Sequence, residues 1–164
     1  PSVKEYATVI TDTLKQYIDS KKVMLVIEPG AAILATAADY LTKVISVRDI
    51  RHTRVVTVDG TCLHINSFMK SKQQTPCTII DGGDGLQKDE LQVIGGSTCM
   101  EMDRLYPRDI TCRLTENSKL LFHCAGAYTM THNSNFINLL PNIYTCENGE
   151  YMPVRIGEAY MMEI

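Results

Sequence analysis

No apolar run in this 164-residue sequence approaches the roughly 20 residues that span a bilayer, so no membrane-spanning helix is expected. The start, Pro1-Ser2-Val3-Lys4, lacks an initiator Met and is no signal peptide; the chain reads as a fragment or a processed product. Lys and Arg are scattered and the net charge is -3, which gives no basic face for nucleic acid. There is no Cys-x-x-Cys pair and no Asn-x-Ser/Thr site. The six cysteines (Cys62, Cys77, Cys99, Cys112, Cys124 and Cys146) are therefore expected as reduced thiols of a cytoplasmic protein. Cys62-Leu63-His64 and His123-Cys124 match no common zinc spacing, so no metal site is expected. The run Asp81-Gly82-Gly83-Asp84-Gly85 lacks the Gly-Lys-Ser/Thr ending of a phosphate loop and reads as a hairpin turn. His52, His64, His123 and His132 show no Ser/His/Asp arrangement. No repeat or low-complexity segment is present.

What remains is an ordinary globular composition, 45% apolar and 21% charged, sufficient to bury a core. Two textures divide it. Apolar positions Val3, Tyr6, Ala7, Ile10, Leu14, Tyr17 and Ile18 have helical spacing, with Ser2 and Glu5 placed for a capping box. Val23 to Ile27 is a continuous apolar run, as expected of a strand buried on both faces. Ala31 to Val44 predicts a second helix. This helix-strand-helix order suits the end of a βα (TIM-like) barrel, residues 1–47. From about Ser46 the pattern turns to short strands: Arg54 to Val58, Thr61 to Ile65, Thr75 to Ile80, Leu91 to Gly95, Lys119 to Cys124, Ile143 to Glu147 and Met152 to Ile156. The expected fold is mainly β (α+β), with a sandwich or barrel domain over residues 48–164 behind the barrel remnant. A lone strand with two helices cannot close a barrel, so its apolar faces need a partner or must repack.

Three stretches could carry chemistry. Glu28-Pro29-Gly30 sits at the C-terminal end of the expected barrel strand, where catalytic groups collect; a carboxylate there could pair with a cationic ring nitrogen. Read alone, it is equally a strand-ending turn. Gly95 to Asp103 places the Cys99 thiol beside Glu101 and Asp103 in a glycine-rich loop, a proton-transfer arrangement or a plain turn. Gly126-Ala127-Tyr128-Thr129 follows an apolar strand, and Tyr128 could aim its hydroxyl at a phosphate or at solvent.

In this order, the three motifs resemble those of the fold-type III decarboxylases, which act on ornithine, arginine, diaminopimelate and carboxynorspermidine. Those enzymes carry Glu-Pro-Gly-Arg, then Gly-Pro-x-Cys-x-x-x-Asp, then Gly-Ala-Tyr with an Asn-containing stretch. Here they stand as Glu28-Pro29-Gly30-Ala31, Gly96 to Asp103, and Gly126-Ala127-Tyr128 with Asn135 to Asn138. The resemblance implies a pyridoxal-phosphate-dependent amino-acid decarboxylase whose Schiff-base lysine lies outside this chain. It implies that Glu28 pairs with the pyridine nitrogen, and that Gly30 and Tyr128 meet the phosphate. Cys99, contributed from a partner subunit, is implied to protonate the α-carbon, and Asp103 and Glu101 are candidates to touch substrate. The active site would be shared across a homodimer, and the isolated chain would be inactive. Ala31 stands where the family has arginine, removing a charge-assisted phosphate contact. Met100 stands where diamino-acid enzymes place an acid, which suggests an unusual amino acid or a carrier-linked substrate. The alternatives are a non-catalytic dimerisation or regulatory module and, less well matched, an amino-acid racemase.

Overall fold

The computed structural model describes residues 2–19, 21–66, 74–85, 91–108 and 110–156. The chain opens with helix α1 (Val3–Leu14), whose start is fixed by the expected capping box. The Glu5 amide donates to Ser2 Oγ at 3.2 Å, and the Ser2 amide donates to Glu5 Oε2 at 2.5 Å. No residue of α1 is buried. The apolar run Val23 to Ile27 forms no strand, which corrects the sequence expectation: all five side chains are exposed. A buried parallel strand needs neighbours on both edges, and none of the described strands pairs with this one.

The helix expected over Ala31 to Val44 is also shorter than its composition suggested. Helix α2 (Gly30–Leu34) passes into a 3₁₀ turn over Ala35–Ala37, and Ala38 is already extended. Tertiary pairing overrides propensity here. The Asp39 carboxylate accepts from the Cys124 amide (3.2 Å) and bonds His123 Nδ1 (3.0 Å). The backbone from Tyr40 to Lys43 is taken up by a ladder with a later strand.

That ladder belongs to a six-stranded mixed sheet of β1 (Tyr40–Ile50), β2 (Thr53–Val58), β3 (Cys77–Ile80), β4 (Leu91–Gly95), β5 (Arg104–Leu105) and β6 (Lys119–Phe122). The spatial order is β3-β6-β1-β2-β4-β5, with β2 and β4 parallel and the other neighbours antiparallel. The sheet curls until its edges meet. Thr75, just before β3, donates its amide to Tyr106 O and accepts from the Arg108 amide, both at 2.9 Å. The result is a barrel-like closure, in keeping with the expected β domain. Strands β7 (Ile143–Glu147) and β8 (Glu150–Arg155) form a separate hairpin. Asn148 (φ 52) and Gly149 (φ 85) both lie in the left-handed region its two-residue turn requires.

Inside the curl lie Val44, Val56, Val58, Cys62, Ile94, Leu105, Leu114, Leu120 and Phe122. Strand β2 shows why: Arg54, Val56 and Val58 alternate onto the buried face. Arg54 is tolerated there because its Nε donates to Leu114 O (2.9 Å) and its Nη1 reaches both Asp49 oxygens (2.7 and 2.8 Å).

Two further expectations change. The strand predicted over Thr61 to Ile65 is a 3₁₀ turn, Cys62–His64. The Thr61 hydroxyl caps the Leu63 amide (3.3 Å), and a distant carboxylate captures the Cys62 amide, so no amides remain for a ladder. The Asp81 to Gly85 run is not a hairpin, because β3 pairs with β6 rather than with the next strand. It lies beside Cys112 and Arg113 instead: Gly83 N donates to Arg113 O (2.7 Å) and Arg113 N to Asp84 O (2.8 Å). All six cysteines carry free thiols.

Candidate functional site

The first and third motifs meet, although nearly the whole β domain separates them in sequence. After β6 the chain turns through Cys124 (φ 60) and docks on the α2 segment. The Ala125 amide donates to Ala38 O (2.8 Å), and the Gly126 amide donates to Ala35 O (2.9 Å). Gly126 must be glycine for this approach. A methyl group there would overlap Leu34 O and sit 2.9 Å from Ala38 N. The next turn is pinned by Thr129, whose buried hydroxyl donates to Ala125 O.

This docking swings Tyr128 back onto the first motif. A methyl group at Gly30 would sit 2.7 Å from the Tyr128 hydroxyl oxygen, so the hydroxyl occupies space that glycine leaves open. Tyr128 holds φ 66, an uncommon conformation for a bulky residue and one that tends to mark functional turns. Its ring meets His132 edge-on at 6.1 Å between centroids. The Tyr128 carbonyl accepts from the His132 amide (3.0 Å) and the Thr131 hydroxyl (3.2 Å). Glu28, two residues before Gly30, is exposed.

The second motif forms its own loop between β4 and β5. Cys99 and Glu101 are exposed, whereas Asp103 is buried. Asp103 Oδ1 accepts from the Cys62 amide (2.7 Å); Oδ2 accepts from the Thr98 amide (3.1 Å) and hydroxyl (2.6 Å). Burial opposes ionisation of this carboxyl, but the bonds from Thr98 and Cys62 outweigh it, and its pKa lies below the usual aspartate value. Nearby, burial pushes the Cys62 thiol up to about 12 and His64 down to about 4. His64 Nδ1 is bonded to the Tyr40 hydroxyl at 2.9 Å, and its buried Nε2 finds no hydrogen-bond partner among the described residues.

The Asn138 side chain links the two regions. Asn138, in the stretch after Tyr128, donates from Nδ2 to Ser97 Oγ at 2.7 Å, and Ser97 Oγ in turn donates to Gly60 O (3.0 Å). The structure therefore brings Gly30 and Tyr128 together, puts Cys99 and Glu101 on an exposed loop, and turns Asp103 inward. Sequence reasoning missed Thr98, Cys62 and Gly126 as supports. Gly126 was visible only as part of a motif, and Thr98 carries no signal apart from lying five residues before Asp103. Among the described residues no His/Cys/Asp/Glu group could hold a metal ion, and no helix is long and apolar enough to cross a membrane.

No protein-family model matches the sequence, and no curated protein matches it. Solved structures do match. Diaminopimelate decarboxylase from M. jannaschi overlays 98% of this chain on 37% of its own (TM-score 0.79, 20% identity). The Paramecium bursaria Chlorella virus arginine decarboxylase bound to agmatine overlays 79% on 36% (TM-score 0.63, 19% identity). Lysine/ornithine decarboxylase from Vibrio vulnificus, complexed with cadaverine, overlays 81% on 35% (TM-score 0.64, 21% identity). The chain spans little more than a third of the length of these structures. The chain thus has the fold of the portion of the diaminopimelate, arginine and lysine/ornithine decarboxylases that it overlays, the group its three motifs resemble.

Proposed function

We propose that this chain is the C-terminal part of a cytoplasmic, pyridoxal-phosphate-dependent amino-acid decarboxylase, active only with the barrel that supplies the cofactor lysine. The observation that carries the reading is the Tyr128 hydroxyl lying in the space beside Gly30. That pairing of a hydroxyl donor with a glycine backbone fits a phosphate group. Bound there, the cofactor supplies an electron sink for the carbanion left when carbon dioxide departs. Gly30 lets the backbone approach the phosphate, and Tyr128 donates a hydrogen bond to it. Glu28 holds a proton at the ring nitrogen. Cys99, exposed on its loop, delivers a proton to the α-carbon in the partner subunit of a homodimer. Glu101, exposed on the same loop, is the acid offered to the substrate.

The test is absorbance spectroscopy of the longest natural polypeptide containing these residues, purified with pyridoxal phosphate. A cofactor band is expected, with Tyr128→Phe weakening cofactor affinity about tenfold through loss of one hydrogen bond to a charged group. Cys99→Ala should lower turnover about a hundredfold or more while leaving the band in place. Absence of the band from the longest polypeptide would overturn the reading.

Ala31 favours a second reading, a decarboxylase-like module that only dimerises or regulates, because the phosphate loses a cationic contact there. Mixing this chain with a full-length homologue separates the two. Heterodimers with no cofactor site of their own would support the module.

A further inference from the structure

Resting on the decarboxylase reading, we propose that Asp103 is a positioning residue for Cys99, the clamp around which the loop from Gly96 to Asp103 is wound, rather than a group that meets substrate. Its side chain points away from solvent, at 3% exposure, while Cys99 points out. Both of its oxygens are engaged. One holds the Cys62 amide, fixing the loop to the turn after β2; the other holds the Thr98 amide and hydroxyl. Thr98 is the residue directly before Cys99, so holding its amide and its side chain together restrains the backbone that leads into the thiol.

The rest of the loop is built to let the carboxylate in. A methyl at Gly96 would overlap the Asp103 carboxylate, so glycine is required there. The Gly96 amide donates to Asp103 O (2.8 Å), and the Asp103 amide donates to Met100 O (3.0 Å), closing the loop at both ends. A carboxylate buried on three donors is a strong local restraint, because leaving any of them unpaired inside the fold is costly. An exposed substrate ammonium would find these oxygens already committed.

The test is site-resolved alkylation of the full chain with iodoacetamide, followed by mass spectrometry of the cysteine peptides. Cys124 and Cys146 are exposed and serve as internal controls. Asp103→Asn replaces one acceptor oxygen by an amide donor facing another donor. It is expected to raise the Cys99 rate about threefold or more as the loop loses its restraint, with Cys146 unchanged. Thr98→Val keeps Asp103 and its bond from Cys62, and is expected to act in the same direction; it carries the test if Asp103→Asn does not fold. Thr98→Ser, which keeps the hydroxyl, should restore the original rate. Unchanged Cys99 rates in both disruptive variants, or parallel acceleration at Cys124 and Cys146, would overturn the proposal. A longer polypeptide that binds no cofactor would end the decarboxylase reading and leave these rates as they are.

Discussion

At the scale of single residues, two glycines and a histidine make contrasting demands. Gly126 is hemmed in by backbone atoms that cannot move without unseating α2. Gly126→Ala should therefore cost about 2–3 kcal/mol in urea denaturation, the range of an overpacked site. Gly149 has open space around it but φ 85, so Gly149→Ala should cost only about 1 kcal/mol, from backbone strain alone. His64 is held near a pKa of about 4 by burial, against an ordinary value of 6.5. The unfolded chain then binds more protons than the folded one between these values. Stability from this group is present above pH 6.5 and lost as pH falls toward about 4, by an amount on the order of 1–3 kcal/mol. Asp103, with its lowered pKa, adds a second loss at still lower pH. Denaturation measured across pH should show the first slope, and His64→Gln should flatten it. The titration of His64 and Asp103 was not legible in the sequence, where the two sit in unrelated motifs and only folding brings them within electrostatic reach.

Among the elements, β2 and α1 mark the extremes of dependence on context. Arg54 shares the buried face of β2 with Val56 and Val58, and is held by Leu114 O as well as Asp49. Removing the arginine vacates a buried position and unpairs a carbonyl, whereas removing the half-exposed Asp49 leaves the Leu114 bond in place. Arg54→Ala should therefore cost about 2–4 kcal/mol and Asp49→Ala about half of that, compared by thermal denaturation. Helix α1 buries nothing, and a 12-residue helix is marginal in water on propensity alone. Its amides should exchange with deuterium far faster than those of β2. The capping box and the strands β2, β3, β4, β6, β7 and β8 could be read from local pattern because local chemistry decides them. The early end of α2 and the start of β1 could not. Ala35, Ala37 and Leu41 favour helix on their own, and the pairing that overrides them comes from β6, some eighty residues later. The Cys62–His64 turn escaped for the same reason, since the carboxylate that takes its amide lies forty-one positions away.

For the molecule as a whole, apolar surface is unevenly placed. The curled sheet has a continuous core, while Met24, Val26 and their neighbours lie open to solvent. Large exposed apolar patches drive association. Dynamic light scattering should find this chain self-associating as concentration rises, and Met24→Lys with Val26→Lys should suppress that without changing the melting temperature. Motif order along the chain is enough to suggest the family resemblance, and the overlay on about a third of each decarboxylase agrees with it. The contact between Tyr128 and Gly30 could be anticipated only through that resemblance, since no periodicity links positions so far apart.

The junction between Gly126 and the α2 segment is made of carbonyls and amides alone. Such a joint is blind to side-chain identity on the surface it grips. Residues 31–34 can accordingly drift in evolution, exchanging a cation for a methyl at position 31, while the phenol of Tyr128 stays where the main chain puts it. A change of charge at position 31 and retention of the phenol at position 128 are thus separable events, and a lineage could pass through the first without forfeiting the second.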